Sequence, residues 1–117
     1  MANIFSAGTR FSGWYEAPVG FGSGRTEFTA TVETFEESTG AWTARGADKQ
    51  GDFTLKGKVE GSDVRFVKDF TAAGGYKNIK YSGTIENDEI KGDYHFVYKA
   101  LFINLPINEN FYMKVIN

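Results

Sequence analysis

The chain contains one sequence unit twice, as FTLKGKVEGSDVRF at residues 53–66 and as IKYSGTIENDEIKG at residues 79–92. In each copy an alternating strand is followed by a short turn and a second alternating strand, the pattern of a β-hairpin. Because successive side chains of a strand point to opposite faces, the repeat also predicts which residues face inward.

Each predicted hairpin has one apolar face and one charged face, which is typical of an antiparallel sheet with one side in water. The inward positions of the first hairpin are Phe53, Leu55, Gly57, Val59, Val64, Phe66, Lys68 and Phe70. Those of the second are Ile79, Tyr81, Gly83, Ile85, Ile90, Gly92, Tyr94, Phe96 and Tyr98. Lys68 is the exception on an otherwise apolar or glycine-lined face, and Tyr94 occupies the equivalent position of the second copy.

Further strands are predicted outside the repeat, and no segment has a helical period of useful length. They span Thr9–Ala17, Arg25–Glu33, Ala41–Ala47 and the segment around Phe111–Val115. The resulting eight strands could form a barrel or a sandwich. Short turns between neighbours and the inward glycines favour the barrel, because a strand bends most easily where no side chain obstructs it. We predict an all-β fold, a closed antiparallel eight-stranded up-and-down barrel, as a single domain over residues 1–117.

Composition excludes several classes of function. A net charge of −2 argues against nucleic acid or an anionic membrane as the main partner. The absence of cysteine excludes disulfides, thiolate nucleophiles and thiolate metal sites. The first residues show no basic and apolar leader, and no window is apolar enough to span a membrane, so we expect a soluble cytoplasmic protein.

Two short motifs resemble lipocalins. The run Phe11-Ser-Gly-Trp14-Tyr-Glu16 resembles the family's opening strand, and Gly92-Asp-Tyr94 resembles a run on one of its late strands. The resemblance implies an eight-stranded barrel with a central ligand cavity, the calycin architecture that fatty-acid-binding proteins and avidins share. It also implies that Trp14 closes the base of the barrel.

Lys68 is the first candidate for a functional role, because an unpaired ammonium is costly to bury. It could anchor the carboxylate or another anionic group of a ligand, or act as a lysine with a lowered pKa. It could equally lie near a rim or pair with an inward carboxylate such as Glu16 or Asp48. The sequence near Lys68 shows no acid–base partner for covalent chemistry.

Other chemical residues give weaker signals. His95, the single histidine, falls on the charged outer face, and the chain lacks the ligands for a histidine-based metal site. No nucleophile-elbow sequence supports a serine triad. The glycine-rich loop 17–25 leads into a strand rather than a helix, so a phosphate site is not indicated. In this loop Phe21 could act as a lid over the barrel mouth, or the loop could be a plain connection.

Residues 99–107 are unusually apolar for a connection between strands. Such a segment could cover the barrel end, line the ligand entrance or form a contact between subunits through residues 100–107. Covering the barrel end is the interpretation we favour.

The pattern predicts binding of a small apolar or amphipathic, anionic molecule inside the barrel, with neither a metal nor a cofactor. The expected ligand-binding residues are Lys68, Tyr94, Tyr81, Phe53, Phe66, Phe70, Phe96 and Phe21. One alternative is a cyclase- or isomerase-type enzyme, which would require a carboxylate near Lys68 or Tyr94. Another is a carbohydrate-binding or assembly module on the outer surface, for which Trp42 with Asp48 is the only hint. The side chains could also fill the barrel completely.

Overall fold

The computed structural model describes residues 4–17, 24–100 and 102–116, except for the side chain of Ala100. The strands are β1 (Arg10–Glu16), β2 (Arg25–Glu36), β3 (Ala41–Asp48), β4 (Gly51–Glu60), β5 (Asp63–Phe70), β6 (Ile79–Glu86), β7 (Glu89–Ala100) and β8 (Ile103–Val115). They form a closed barrel in which each strand is antiparallel to its neighbours and β8 closes on β1. The predicted fold class is therefore confirmed.

The repeated unit forms the hairpins β4–β5 and β6–β7, as its alternation predicts. Each hairpin turns through two residues, and the first of them, Gly61 or Asn87, has a positive φ. Glycine and asparagine are the residues that adopt this conformation most readily. Gly57 and Gly92 lie where a Cβ atom would strike the backbone of the neighbouring strand, so the predicted inward glycines do occupy points of close approach.

One end of the barrel, the base, is closed by the N-terminal segment. Phe5 is fully buried there, and its ring stacks on Trp42 with the ring centroids 4.5 Å apart. The backbone of this segment is tied to β2, since Gly8 N donates to the Val32 carbonyl and Val32 N donates to the Thr9 carbonyl. The sequence analysis did not predict this plug.

The expectation that Trp14 closes the base is wrong. Phe11, Gly13 and Tyr15 are the positions of β1 that face the inside of the barrel. Trp14, between Gly13 and Tyr15, therefore points to the outer face. There its ring lies under the guanidinium of Arg25 at 3.7 Å and stacks with Tyr112.

Residues 99–107 do not cover a barrel end, so the favoured interpretation of this segment is also wrong. They form the tip of a long β7–β8 hairpin that pairs in unbroken register from Glu89 with Lys114 to Ala100 with Ile103. Phe102, in the turn, is completely exposed. Pro106 lies in this part of β8, opposite Val97, and proline is compatible with a strand that lacks a neighbour on one side.

Aromatic side chains fill most of the interior. Trp42, Phe66, Tyr81 and Phe111 pack on one another with ring centroids 4.7 to 5.7 Å apart. The barrel is solid around this cluster, and open space remains at the opposite end from Phe5, the mouth, where β1, β3 and β5 end.

Candidate functional site

A cavity of about 250 Å³ lies at the mouth of the barrel. Its walls are aromatic rings and an isoleucine, interrupted by a few polar groups. The lining residues are Tyr15, Ala17, Lys49, Gln50, Lys68, Phe70, Tyr76, Ile79, Tyr81, Tyr94 and Phe96. A largely apolar pocket with a few convergent polar groups is the usual form of a small-molecule site.

The deepest charged group in this wall is the ammonium of Lys68. Its Nζ atom lies 3.1 Å from Oδ2 of Asp48, and the two side chains are 3% and 0% exposed. The pairing that the sequence left open for Lys68 is therefore with Asp48 and not with Glu16, whose carboxylate contacts Arg25. Both partners are inward-facing residues near the mouth ends of their strands, and β4 lies between those strands in the barrel.

Asp48 is held in place by its own turn as well as by the lysine. The Gln50 amide N–H donates to Oδ1 at 2.7 Å, and the Tyr15 hydroxyl donates to Oδ2 at 2.9 Å. Both carboxylate oxygens of Asp48 thus accept hydrogen bonds, which compensate for the water that the buried side chain has lost. The arrangement holds the carboxylate opposite Lys68 before any ligand is present.

Aromatic rings flank the ammonium on several sides, while Lys68 still lines the cavity. The Lys68 Nζ atom lies 4.2 Å from the ring centroid of Tyr15, 4.3 Å from that of Phe53 and 4.6 Å from that of Phe70. The negative faces of aromatic rings attract a cation at such distances. The Lys68 ammonium thus contacts three aromatic rings and the carboxylate of Asp48.

Burial lowers the pKa of Lys68 to about 8, although the nearby Asp48 carboxylate acts in the opposite direction. The pKa of Tyr15 is raised, mainly by burial and then by the charge of Asp48. Burial also raises the pKa values of Tyr81 and Tyr94, so these three buried tyrosines keep their protons at neutral pH. Each hydroxyl can therefore donate a hydrogen bond.

The three tyrosine hydroxyls differ in what they bind. Tyr15 donates to Asp48 and accepts from Gln50 Nε2 at 3.2 Å, while Tyr94 donates to the backbone carbonyl of Glu16. For Tyr81, no hydrogen bond to the hydroxyl is formed by the described residues, and the side chain lines the cavity. Among the described residues, Tyr81 is therefore the buried tyrosine of the wall whose hydroxyl donates to no protein acceptor.

Five of the residues predicted to bind ligand line the cavity, namely Lys68, Tyr94, Tyr81, Phe70 and Phe96. Phe53 and Phe66 lie in the buried core and do not line it, although Phe53 supports Lys68 from behind. Phe21 lies outside the described residues. The fold thus gathers the inward residues near the mouth and leaves the deeper ones in the core.

Sequence analysis missed several members of the wall: Tyr15, Ala17, Lys49, Gln50, Tyr76 and Ile79. Ile79 was predicted to face inward, and the missing information was its depth along the barrel, whereas no direction was predicted for Tyr15. Lys49 and Gln50 form the β3–β4 turn, and Tyr76 belongs to the β5–β6 connection, where no strand period indicates direction.

The other chemical candidates do not assemble into a site. His95 lies on the outer face, where its Nδ1 atom is 2.9 Å from Oδ1 of Asn108. Trp42 is buried at the base, so it forms no outer-surface carbohydrate site with Asp48. Within residues 4–17, 24–100 and 102–116 there is no cluster of three acidic or histidine side chains that could hold a metal ion. The same part of the chain has no helix of the length and hydropathy that a membrane-spanning helix requires.

Comparison with known proteins found no matching family model, no matching curated protein and no matching solved structure. The closed eight-stranded antiparallel barrel is compatible with a calycin-like fold. The finer resemblance to lipocalins stays a prediction.

Proposed function

We propose that this protein binds a small amphipathic molecule with an anionic or electron-rich polar end in the mouth cavity. The observation that carries the proposal is the aromatic cavity beside a preformed Lys68–Asp48 pair. Apolar walls would hold the ring or chain of the ligand, and the few polar groups would orient it.

The size of the cavity limits the ligand. An apolar cavity of about 150 Å³ holds benzene, and pockets for drug-sized molecules begin at about 300 Å³. At about 250 Å³ this cavity suits a molecule with one or two rings. It is too small to enclose a long-chain fatty acid completely.

The placement of charge favours an anion. Lys68 and Lys49 line the cavity, whereas Asp48 lies behind Lys68 with its carboxylate closed off. No acidic side chain is among the described residues of the wall. A ligand oxygen would receive hydrogen bonds from the Tyr81 hydroxyl and the Lys68 ammonium, with Phe70 and Phe96 against its apolar part.

Benzoate and benzylamine provide a direct test, because they share a ring and carry opposite charges. We expect calorimetric titration to show one benzoate per chain, bound at least about tenfold more tightly than benzylamine. The substitution Ala17→Phe at the cavity rim should abolish binding. Ala47→Phe, on the outer face of β3, is the matched control and should leave binding intact.

Two results would contradict this function. One is the absence of saturable binding for benzoate, phenol and 4-hydroxybenzoate alike. The other is equal benzoate affinity in the Ala17→Phe variant and the wild type. Native mass spectrometry of the purified protein gives an independent readout, since a retained molecule would reveal the ligand class directly.

A second candidate function is enzymatic, and the contact between Lys68 and Asp48 is the observation that favours it. Burial lowers the pKa of Lys68, so its neutral amine forms more readily than that of an exposed lysine. Such an amine can attack the carbonyl carbon of a small aldehyde. The carbonyl oxygen leaves as water, Asp48 relays the proton, and an imine joins Lys68 to the former carbonyl carbon.

Borohydride reduction in the presence of benzaldehyde tests this second function, because it converts the imine to a stable amine. Peptide mapping should find the label on Lys68 in preference to Lys49, the exposed lysine at the rim. Equal labelling of the two lysines would reject an enzymatic role for Lys68. It would leave the binding function untouched.

A further inference from the structure

The β7–β8 hairpin continues well beyond the mouth as a two-stranded ribbon. Pairing of β7 with β6 reaches only His95, and pairing of β8 with β1 reaches only Phe111. Among the described strands, residues 96–100 and 103–107 therefore pair only with each other. The ribbon accounts for the elongated shape of the molecule, which measures 47 × 25 × 23 Å.

One face of this ribbon is the upward continuation of the inner wall of the barrel. Register is unbroken along the hairpin, so every second pair of residues counted from the buried Tyr94 faces the same side as Tyr94. The acidic residue Glu109, opposite Tyr94, lies on this side at the foot of the ribbon. Beyond it, the residues of the inner ribbon face are Phe96, Tyr98, Ile103, Leu105 and Ile107. All are apolar or aromatic, whereas the opposite face carries Lys99, Asn104 and Asn108 beside Val97.

The inner ribbon face and the cavity form one continuous apolar surface. Phe96 belongs to both, and Tyr76 joins them, because it lines the cavity and packs on Phe96 and Tyr98 at centroid distances of 5.4 and 6.3 Å. Elsewhere the described rim consists of Lys49, Gln50 and the small residue Ala17. Among the described residues, a molecule too long for the cavity thus meets apolar surface outside it along the ribbon.

We propose that the ligand carries an apolar tail, which leaves the cavity beside Phe96 and lies on the inner ribbon face. This inference rests on the proposed function and specifies the class of ligand as a ring or polar head with an alkyl extension. The polar end stays beside Lys68 and Tyr81, and the tail covers Leu105 and Ile103, which are strongly exposed in the free protein.

A series of 4-alkylbenzoates, from methyl to octyl, tests the proposal by calorimetry below the concentration at which the longest member aggregates. A fully buried methylene contributes about 0.8 kcal/mol, which is about fourfold in affinity. On a surface that is open on one side, we expect affinity to rise about two- to threefold per methylene over most of the series. A closed cavity would instead give a maximum at a short chain and a fall beyond it.

Leu105 and Val97 make a matched pair of variants, because both are 44% exposed and they lie on opposite faces of the ribbon. Leu105→Ser should flatten the dependence on chain length while leaving the affinity for benzoate itself unchanged. Val97→Ser should change neither. Because both positions are already open to solvent, both variants are expected to fold.

Several outcomes would overturn the tail site. The first is benzoate binding with no gain from longer chains, which would preserve the proposed function and reject the tail. Equal effects of Leu105→Ser and Val97→Ser would reject it as well. A third is a combination of two results. Analytical ultracentrifugation would show a concentration-dependent dimer that Leu105→Ser converts to monomer, and the affinity for 4-alkylbenzoates would not depend on the length of the alkyl chain. In that case a second copy of the chain, and not a ligand tail, covers the inner ribbon face.

Discussion

The Nζ atom of Lys68 lies 3.1 Å from Oδ2 of Asp48, although both side chains are closed off from water. An isolated ammonium or carboxylate in such a place would be strongly unfavourable, and the pair with its additional hydrogen bonds removes most of that cost. The barrel therefore keeps two opposite charges beside a cavity without exposing the negative one. This pair connects the stability of the fold to the chemistry of its mouth.

Removing one partner of this pair should be costly. In Asp48→Asn the Lys68 ammonium stays buried without its counter-charge, and we expect the free energy of unfolding to fall by about 3 kcal/mol in urea titrations. The double variant Asp48→Asn with Lys68→Met should recover most of this loss. Glu33→Gln is the control, because the Glu33–Arg45 contact of 3.0 Å is exposed and should contribute less than about 1 kcal/mol. Similar losses at Asp48 and Glu33 would contradict a special role for the buried pair.

The lowered pKa of Lys68 predicts a particular dependence of stability on pH. Between the folded-state value of about 8 and the usual value of 10.5, the unfolded chain binds the proton that the folded chain has released. Stability therefore rises with pH in this window. Between pH 7 and 9.5 we expect wild type to gain about 2 kcal/mol relative to Lys68→Met. Parallel stability curves for the two proteins would show that Lys68 titrates normally in the folded state.

Tyr81 and Tyr94 should respond differently to loss of the hydroxyl. Tyr81→Phe removes a donor that no described residue uses, so we expect little change in stability and about a fivefold loss of benzoate affinity. Tyr94→Phe breaks the hydrogen bond to the Glu16 carbonyl, so it should lower the free energy of unfolding by about 1 kcal/mol. Thermal unfolding and calorimetric titration of both variants distinguish the roles. If the two variants exchanged these phenotypes, our assignment of the free donor would be wrong.

Phe5 should matter for stability and not for binding. Phe5→Ala opens a space beneath Trp42 and should lower the free energy of unfolding by about 3 to 4 kcal/mol. Phe5→Leu preserves most of the volume and serves as the milder variant if the alanine variant fails to fold. Because the base lies at the opposite end from the cavity, benzoate affinity in Phe5→Leu should equal that of wild type. A marked loss of benzoate affinity would mean that the N-terminal segment around Phe5 influences the structure of the cavity at the mouth.

The predictability of the site depended on whether a residue belonged to a strand. Strict alternation over residues 53–70 and 79–99 predicted correctly that Lys68, Tyr81 and Tyr94 face inward, because a strand admits only two side-chain directions. The turn residue Gln50 and the connection residue Tyr76 have no such constraint, and their contribution to the cavity could not be predicted. Trp14 was misplaced because a motif resemblance was given more weight than the parity of its own strand.

The sequence by itself determined most of the strands and the inward faces of the two repeated hairpins, since these follow from a local two-residue period, and its short turns and inward glycines favoured a closed barrel over a sandwich. Only the tertiary structure decided that Lys68 meets Asp48, that Phe5 fills the base and that residues 103–107 extend β8. Each of these depends on how far along the barrel axis one strand is displaced against another. That displacement results from packing of the whole interior and from the pairing of residues distant in the chain, which a local pattern does not encode.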